Sequence, residues 1–294
     1  MRAAHPGAAI SVVGVPSYRD SNKARLQQWN QQLFANLVGA RAGDGVSMHE
    51  YDASGAGSGK SFTEKDVPVM LATPFATAAR IGTAAAALPA WASIWVTEFN
   101  LLYNAGKPDV PCFGTWAHGL YVATEALLML AVPQVQAGRV CRHCLFSFAA
   151  DGALFEDTAS FDFAMSPDKS LTTTLYGRAA PAIALTLLAN ASLAARAAAP
   201  LAFSPNPKTP GGVDSLVGAV FSGAPRGSAA VVVNLAPSPF QLTQADATAF
   251  SSFSQAHVAD ATTPVNKEGV VTQTAGAVTK AGVALPAYSV TMLY

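Results

Sequence analysis

Glu98 closes the stretch Ile94-Trp-Val-Thr-Glu-Phe-Asn100, an apolar run that ends by delivering one carboxylate. A carboxylate so placed suits nucleophilic attack or general-base work. In an extended strand alternate side chains share a face, so Ile94, Val96 and Glu98 are expected on one side and Trp95, Thr97 and Phe99 on the other. An acid in an apolar strand has a second reading, a buried Glu held by an Arg or by backbone amides. His49 and Tyr51 lie at the C-terminal end of another apolar run, Gly45-Val-Ser-Met-His-Glu-Tyr51, and share a face opposite Val46, Met48 and Glu50. A Tyr51 hydroxyl donating to Glu98 would hold that carboxylate ionised and oriented.

Such residues must be positioned by strands that end at one place. Parallel α/β barrels do this, with strand interiors filling the barrel and last residues emerging at the mouth. The chain reads accordingly. His5-Pro-Gly7 leads into an apolar strand, Ala9–Val15, and Leu26, Trp29, Leu33, Phe34 and Leu37 recur at helical spacing between Asp20 and Val38, with Gly39 as a stop. After the 45–51 strand, Thr63-x-x-Asp66 predicts a capping box for a helix through Leu88, with Pro68 in its first turn and Pro89 closing it. The Glu98 strand is followed by a helix over about Thr115–Ala131 and a fourth strand over Arg139–Phe148. A long acidic segment then carries Asp151, Glu156, Asp157 and Asp162, and reads either as a loop shaping a substrate site or as a connector. Ala179–Ala199 reads as a helix, with Pro181 near its start and Pro200 just past its end.

Beyond Pro200 the texture changes. Pro205, Pro207, Pro210 and Gly211-Gly212 form a linker, and Leu216–Phe221, Ala229–Leu235, Val270–Thr274 and Tyr288–Tyr294 are expected strands of an antiparallel sandwich. The division is therefore α/β over 1–200 and all-β over 201–294.

Composition narrows the function. A chain of 294 residues that is 51% hydrophobic can bury a large core, and its zero formal charge argues against nucleic acid, an anionic membrane or a strongly charged substrate. A neutral, polar substrate fits better. The start lacks a signal-peptide core, and the Ala-rich runs are broken by Glu125, Asn190 and Arg196, so no membrane span is expected. Cys141 and Cys144 form a C-x-x-C around His143, but zinc needs further ligands and no second cluster offers them. Buried thiols are expected, and neither metal nor organic cofactor. Ser54-Gly-Ala-Gly-Ser-Gly-Lys-Ser61 has three residues rather than four between Gly55 and Gly59-Lys60-Ser61, so it is not a phosphate loop. It reads as a flexible loop at the mouth.

Taken together, Ile94-Trp-Val-Thr-Glu98-Phe-Asn100, His49-Glu-Tyr51 and Gly114-Thr-Trp-Ala-His118 resemble the retaining glycoside hydrolases of the large (β/α)8 clan, closest to arabinofuranosidase and xylosidase families 51 and 39. In those enzymes a Thr-Glu or similar pair ends the seventh strand and supplies the nucleophile, which implies Glu98. A His or Tyr on the sixth strand lies near it, which implies His49 and Tyr51. A C-terminal sandwich closing on a strand like Leu285-Pro-Ala-Tyr-Ser-Val-Thr-Met-Leu293 is also common in them. The resemblance implies a carbohydrate substrate, with His49 contacting a sugar hydroxyl, Asn100 in the binding site and Trp116 as a sugar platform; the helical spacing of Trp116 with Leu120 fits a core role equally. His118 and His143 read as structural histidines, and Glu50 as a buried acid with a basic partner.

The family's acid/base Glu follows an Asn at the end of the fourth strand, and this chain contains no Asn-Glu pair. If Glu98 ends strand seven, Ile10–Val15 belongs to strand five. The expected fold is then a partial (β/α)8 (TIM) barrel, roughly its second half, plus the sandwich, with an N-terminal barrel half as the missing partner. A non-catalytic carbohydrate-binding or vestigial protein is the alternative, and a lyase or isomerase using Glu98 as base a third reading. A polysaccharide hydrolase is usually exported, which weakly favours secretion.

Overall fold

The computed structural model describes residues 7–14, 28–36, 44–52, 61–89, 91–101, 112, 114–136, 141–145, 155–156, 177–225, 227–265 and 269–294. Strands β1 (Ser11–Val13), β2 (Gly45–Asp52), β3 (Ser93–Leu101) and β4 (Cys141–Leu145) form a parallel sheet in chain order. Helices α1 (Trp29–Asn36), α2 (Val67–Ala86) and α3 (Trp116–Leu130) fall between successive strands, followed by a short α4 (Pro133–Gln136) before β4. Strand–helix alternation is thus as expected, with four parallel strands among the described residues where an eight-stranded barrel has twice as many. The first predicted helix is described only over α1; residues 20–27 and 37–38 lie outside the described set, as do 139–140 and 146–148 around β4.

One face of the sheet is sealed by helices. Val46, Met48, Ile94 and Val96 are fully buried in a cluster with Val67, Met70, Leu71 and Ile81 of α2. The N-terminal end of the sheet is tied by Asp44, whose Oδ1 accepts from the Ile10 N–H at 3.0 Å and whose carbonyl accepts from Ser93 at 2.7 Å. The Trp95 indole lies over Gly45, where any side chain would collide with the ring. Asp66, rather than Thr63, is the N-cap of α2: Thr63 N and Oγ1 both donate to Asp66 Oδ2, at 2.8 and 2.7 Å. The predicted Thr–Asp pair forms one turn early, and Pro68 occupies the first helical turn, where its missing N–H leaves no intrahelical bond unmade.

Strands β5 (Phe155–Glu156) and β6 (Gly177–Arg178) pair antiparallel and lead to α5 (Ala180–Ser192), which packs on α3. A Cβ at Gly119 would lie 2.7 Å from the Ala180 carbonyl oxygen, so only glycine permits this approach. Gly119→Ala is expected to cost about 1–3 kcal/mol by forcing the helices apart. Urea unfolding followed by circular dichroism measures it; an unchanged midpoint would refute the close contact.

The helix expected to run to Ala199 ends at Ser192. Ala194 takes φ 60°, and β7 (Ala197–Pro200) pairs antiparallel with β8 (Leu216–Ala224). Alanine is the best helix former, but intrinsic propensity yields to tertiary context, and pairing with a free strand edge wins the segment. Pro200 sits on the edge strand of the sheet, where a missing N–H is tolerated. The β-unit therefore takes in residues before Pro200 as well as after it.

The remaining elements are β9 (Gly227–Asn234), β10 (Phe240–Leu242), α6 (Gln244–Ala247), β11 (Ser252–His257), β12 (Thr272–Ala277), β13 (Val283–Leu285) and β14 (Ser289–Leu293). Six strands pair in the order β12-β11-β14-β9-β8-β7, and β10 pairs with β13 in a separate ribbon. Period-2 alternation gives this sheet two apolar faces. Val217, Ala219, Phe221, Val231 and Val233 join the core that includes α3 and α5, while Leu216, Ala230, Val232 and Leu293 cluster with Leu242, Val283 and Leu285 of the ribbon. The expected sandwich thus takes the form of a six-stranded sheet between helices and a two-stranded ribbon.

The β-unit also completes a helix start. Thr115, the N-cap of α3, makes no side-chain cap. Instead the Trp116 and Ala117 N–H groups donate to the Thr263 and Ala261 carbonyls at 3.0 and 2.8 Å, and the Val265 N–H donates to the Gly114 carbonyl at 2.7 Å. Donors that every helix start leaves without intrahelical partners are satisfied from the other unit.

Candidate active site

Pairing of β2 with β3 passes from Met48 opposite Val96 to His49 opposite Glu98, which leaves Thr97 as an extra residue in β3. That irregularity decides where Glu98 points. Ile94 and Val96 are buried before it, and Phe99 and Leu101 are buried after it, so the apolar phase moves by one residue. Glu98 accordingly does not share a face with Ile94 and Val96, as strict alternation predicts; the bulge turns it toward His49 and Tyr51. Ser47 Oγ and Thr97 Oγ1, 2.8 Å apart, pin the extra residue to β2. This polar pair went unpredicted, although the apolar spacing 94, 96, 99, 101 carries its signature.

At the C-terminal ends of these strands the Tyr51 hydroxyl donates to Glu98 Oε2 at 2.5 Å, and His49 Nδ1 lies 3.1 Å from the same oxygen. A carboxylate only accepts, so Nδ1 carries the proton when Glu98 is ionised. Both contacts fall on Oε2, which leaves Oε1 without a bonded group among the described residues. The Glu98 and His49 side chains are 32% and 46% exposed, so the pair is partly open to solvent. No carboxyl group of a described side chain pairs with Glu98.

Asn100 and Trp116 are not brought to this opening. Asn100 is 3% exposed, and its Oδ1 accepts from the Leu101 N–H at 2.8 Å and faces His118 Nε2 at 2.7 Å. Trp116 is fully buried and donates its Nε1–H to the Tyr288 carbonyl at 2.6 Å, which replaces the expected sugar platform with a core position between the two units. His118 is buried as a structural histidine should be, and burial pushes its pKa down to about 3, so it stays neutral. Glu50 is fully buried on the opposite face of β2 from His49 and Tyr51. The side chains of Cys141, His143, Cys144 and Glu156, and all of Ser54–Lys60, Asp151, Asp157 and Asp162, lie outside the described set. Among the described residues no three His, Cys, Asp or Glu side chains gather to hold a metal, and no helix is long and apolar enough to cross a membrane.

A second pair of acids lies at the seam between the units. Glu64, before α2, is hydrogen-bonded to Asp260, whose Oδ1 also accepts from Thr262 N and Oγ1 at 2.7 Å each. That hydrogen bond, then burial and the Asp260 charge, raise the Glu64 pKa to about 7, while Asp260 is lowered. The raised Glu64 value means its contribution to stability is full below its unfolded pKa and is lost as pH rises through about 7. The depressed Asp260 value works in the opposite sense, its contribution being lost on acidification below the ordinary carboxylate range. Thermal unfolding should therefore show a modest loss of stability on passing from slightly acid to slightly alkaline pH, flattened in Glu64→Gln. A wild-type profile as flat as the variant's would refute the shared proton.

The parallel unit followed by a β-unit is a glycoside-hydrolase-like fold. It resembles family 51: the family 51 α-L-arabinofuranosidase AbfB from Bifidobacterium longum superposes with TM-score 0.66 at 15% identity, over 99% of this chain and 60% of that one. A conserved exported protein from Bacteroides fragilis gives TM-score 0.61 at 13% identity, over 99% and 56%. The α-L-arabinofuranosidase from Thermotoga maritima gives 0.56 at 14%, over 99% and 58%. The chain spans at most 60% of the length of these proteins, and the likeness is one of fold. No family model and no curated protein matches it.

Proposed function

We propose that this chain is the nucleophile-bearing portion of a retaining glycoside hydrolase acting on a neutral poly- or oligosaccharide. The observation that carries the reading is the Glu98 carboxylate held through one oxygen by Tyr51 and His49 at the C-terminal end of parallel strands. In this mechanism Oε1 attacks the anomeric carbon, the glycosidic oxygen leaves with a proton from a second carboxyl group, and water then releases the sugar from Glu98. That second group belongs about 5–5.5 Å from the first. It would be supplied by residues outside the described set or by a complementary barrel half. The fold shared with arabinofuranosidases supports a carbohydrate substrate, and no organic cofactor or metal is required.

A second reading is a carbohydrate-binding protein without turnover. Covalent trapping separates the two. A 2-fluoroglycoside with a dinitrophenyl leaving group needs no acid catalyst, so a working nucleophile is labelled even without its partner. An intact-mass increase of one pentosyl or hexosyl unit, mapped to the Glu98 peptide, is expected. Sugar binding by calorimetry with no adduct from any reagent on the folded chain would favour the binding protein.

A further inference from the structure

Buried polar contacts join the end of β3 to the start of α3, and the start of α3 to the β-unit, and the proposed chemistry leaves them unused. Asn100 is two residues past Glu98. Its Oδ1 accepts from the Leu101 N–H, which identifies that atom as the oxygen and requires His118 Nε2 to carry the proton it presents at 2.7 Å. His118 stands in the first turn of α3, whose N–H groups are held by the Ala261 and Thr263 carbonyls. The indole of Trp116, two residues earlier, is held by the Tyr288 carbonyl. Asn100 and His118 are 3% and 0% exposed, so neither is placed to meet a substrate.

We infer that Asn100 and His118 form a latch through which the β-unit fixes the end of β3 and hence the direction of the Glu98 carboxylate. This rests on Glu98 being the nucleophile. The bulge at Thr97 gives such a latch a role: it aims Glu98 but interrupts the ladder one residue before it. Although pairing with β2 resumes from Glu98 to Leu101, the contact with His118 adds a hold from a second direction. Sheet pairing holds Glu98 from the side of β2; the latch holds its continuation from the side of α3. Asn100 and His118 are positioning residues, and the β-unit serves the catalytic geometry rather than stability alone.

Three forms of the chain test this: wild type, His118→Leu, which removes the donor, and His118→Gln, whose amide places a donor near the Nε2 position. The readouts are the rate of labelling by a dinitrophenyl 2-fluoroglycoside, its dependence on reagent concentration, and amide hydrogen exchange over Glu98–Leu101. The latch predicts a labelling rate at saturation roughly 10- to 100-fold lower in His118→Leu, from misplacement of the attacking oxygen, with half-saturation unchanged. It also predicts faster exchange over Glu98–Leu101, and recovery of both in His118→Gln. A His118→Leu chain that labels and exchanges like wild type overturns the latch, as does a His118→Gln chain no better than His118→Leu. If wild type takes no label from any sugar, the nucleophile assignment fails, and exchange alone then decides whether the latch exists.

Discussion

Glu98→Gln is expected to abolish covalent trapping by any dinitrophenyl 2-fluoroglycoside, lowering the rate by roughly 10⁴-fold or more, the scale on which removing a nucleophile from a working group acts. The substitution keeps the shape of the side chain and still offers Tyr51 an oxygen to donate to, so the bulge and its surroundings should persist. What it removes is the charge that lets Oε1 attack. Because Glu98 is 32% exposed, no buried charge is left unpaired and unfolding midpoints should stay near wild type. Tyr51→Phe deletes one charge-assisted hydrogen bond while leaving the carboxylate in place, a loss of about 1.5–3 kcal/mol. That corresponds to roughly 10- to 100-fold in rate. A Glu98→Gln chain labelled as fast as wild type would place the nucleophile elsewhere.

How much of this was readable beforehand follows from what each signal depends on. The parallel βα units were legible because Val46, Met48, Ile94 and Val96 alternate and the helices between them repeat apolar residues at helical spacing. Tyr51, His49 and Glu98 were legible as strand-end residues, but the face of Glu98 was misread, because alternation assumes an unbroken ladder and Thr97 breaks it. In the β-unit, β8, β9 and β14 carry apolar runs that declare them, whereas β12 is exposed along its whole length and offers no apolar pattern to set its limits. β7 was hidden in an alanine run whose helix preference is overruled by an edge that only the folded sheet provides. The resemblance places Asn100 in the binding site, and the sequence leaves Trp116 equally a sugar platform or a core residue. Only tertiary pairing with His118 and Tyr288 shows that both turn inward.

Trp116→Ala should consequently be among the most destabilising single changes available, and its pattern of effects distinguishes a core residue from a sugar platform. The ring is fully buried at the start of α3, where the helix receives its backbone partners from the 261–265 segment. Truncation would leave a large cavity at the seam of the two units, at a cost of about 3–5 kcal/mol. It would also strip the Tyr288 carbonyl of its donor, a further penalty of about 1–3 kcal/mol where no water replaces it. Trp116→Phe keeps most of the volume and loses the Nε1–H, so it should fall between the two. Urea unfolding with exchange measured over 261–265 and at Ser289 checks both variants: a core residue predicts early opening of these segments and a loss of stability ordered Ala, then Phe, then wild type. A platform predicts unchanged stability and weaker sugar binding. A Trp116→Ala chain within about 1 kcal/mol of wild type, the size of an ordinary substitution, would return the indole to the substrate side.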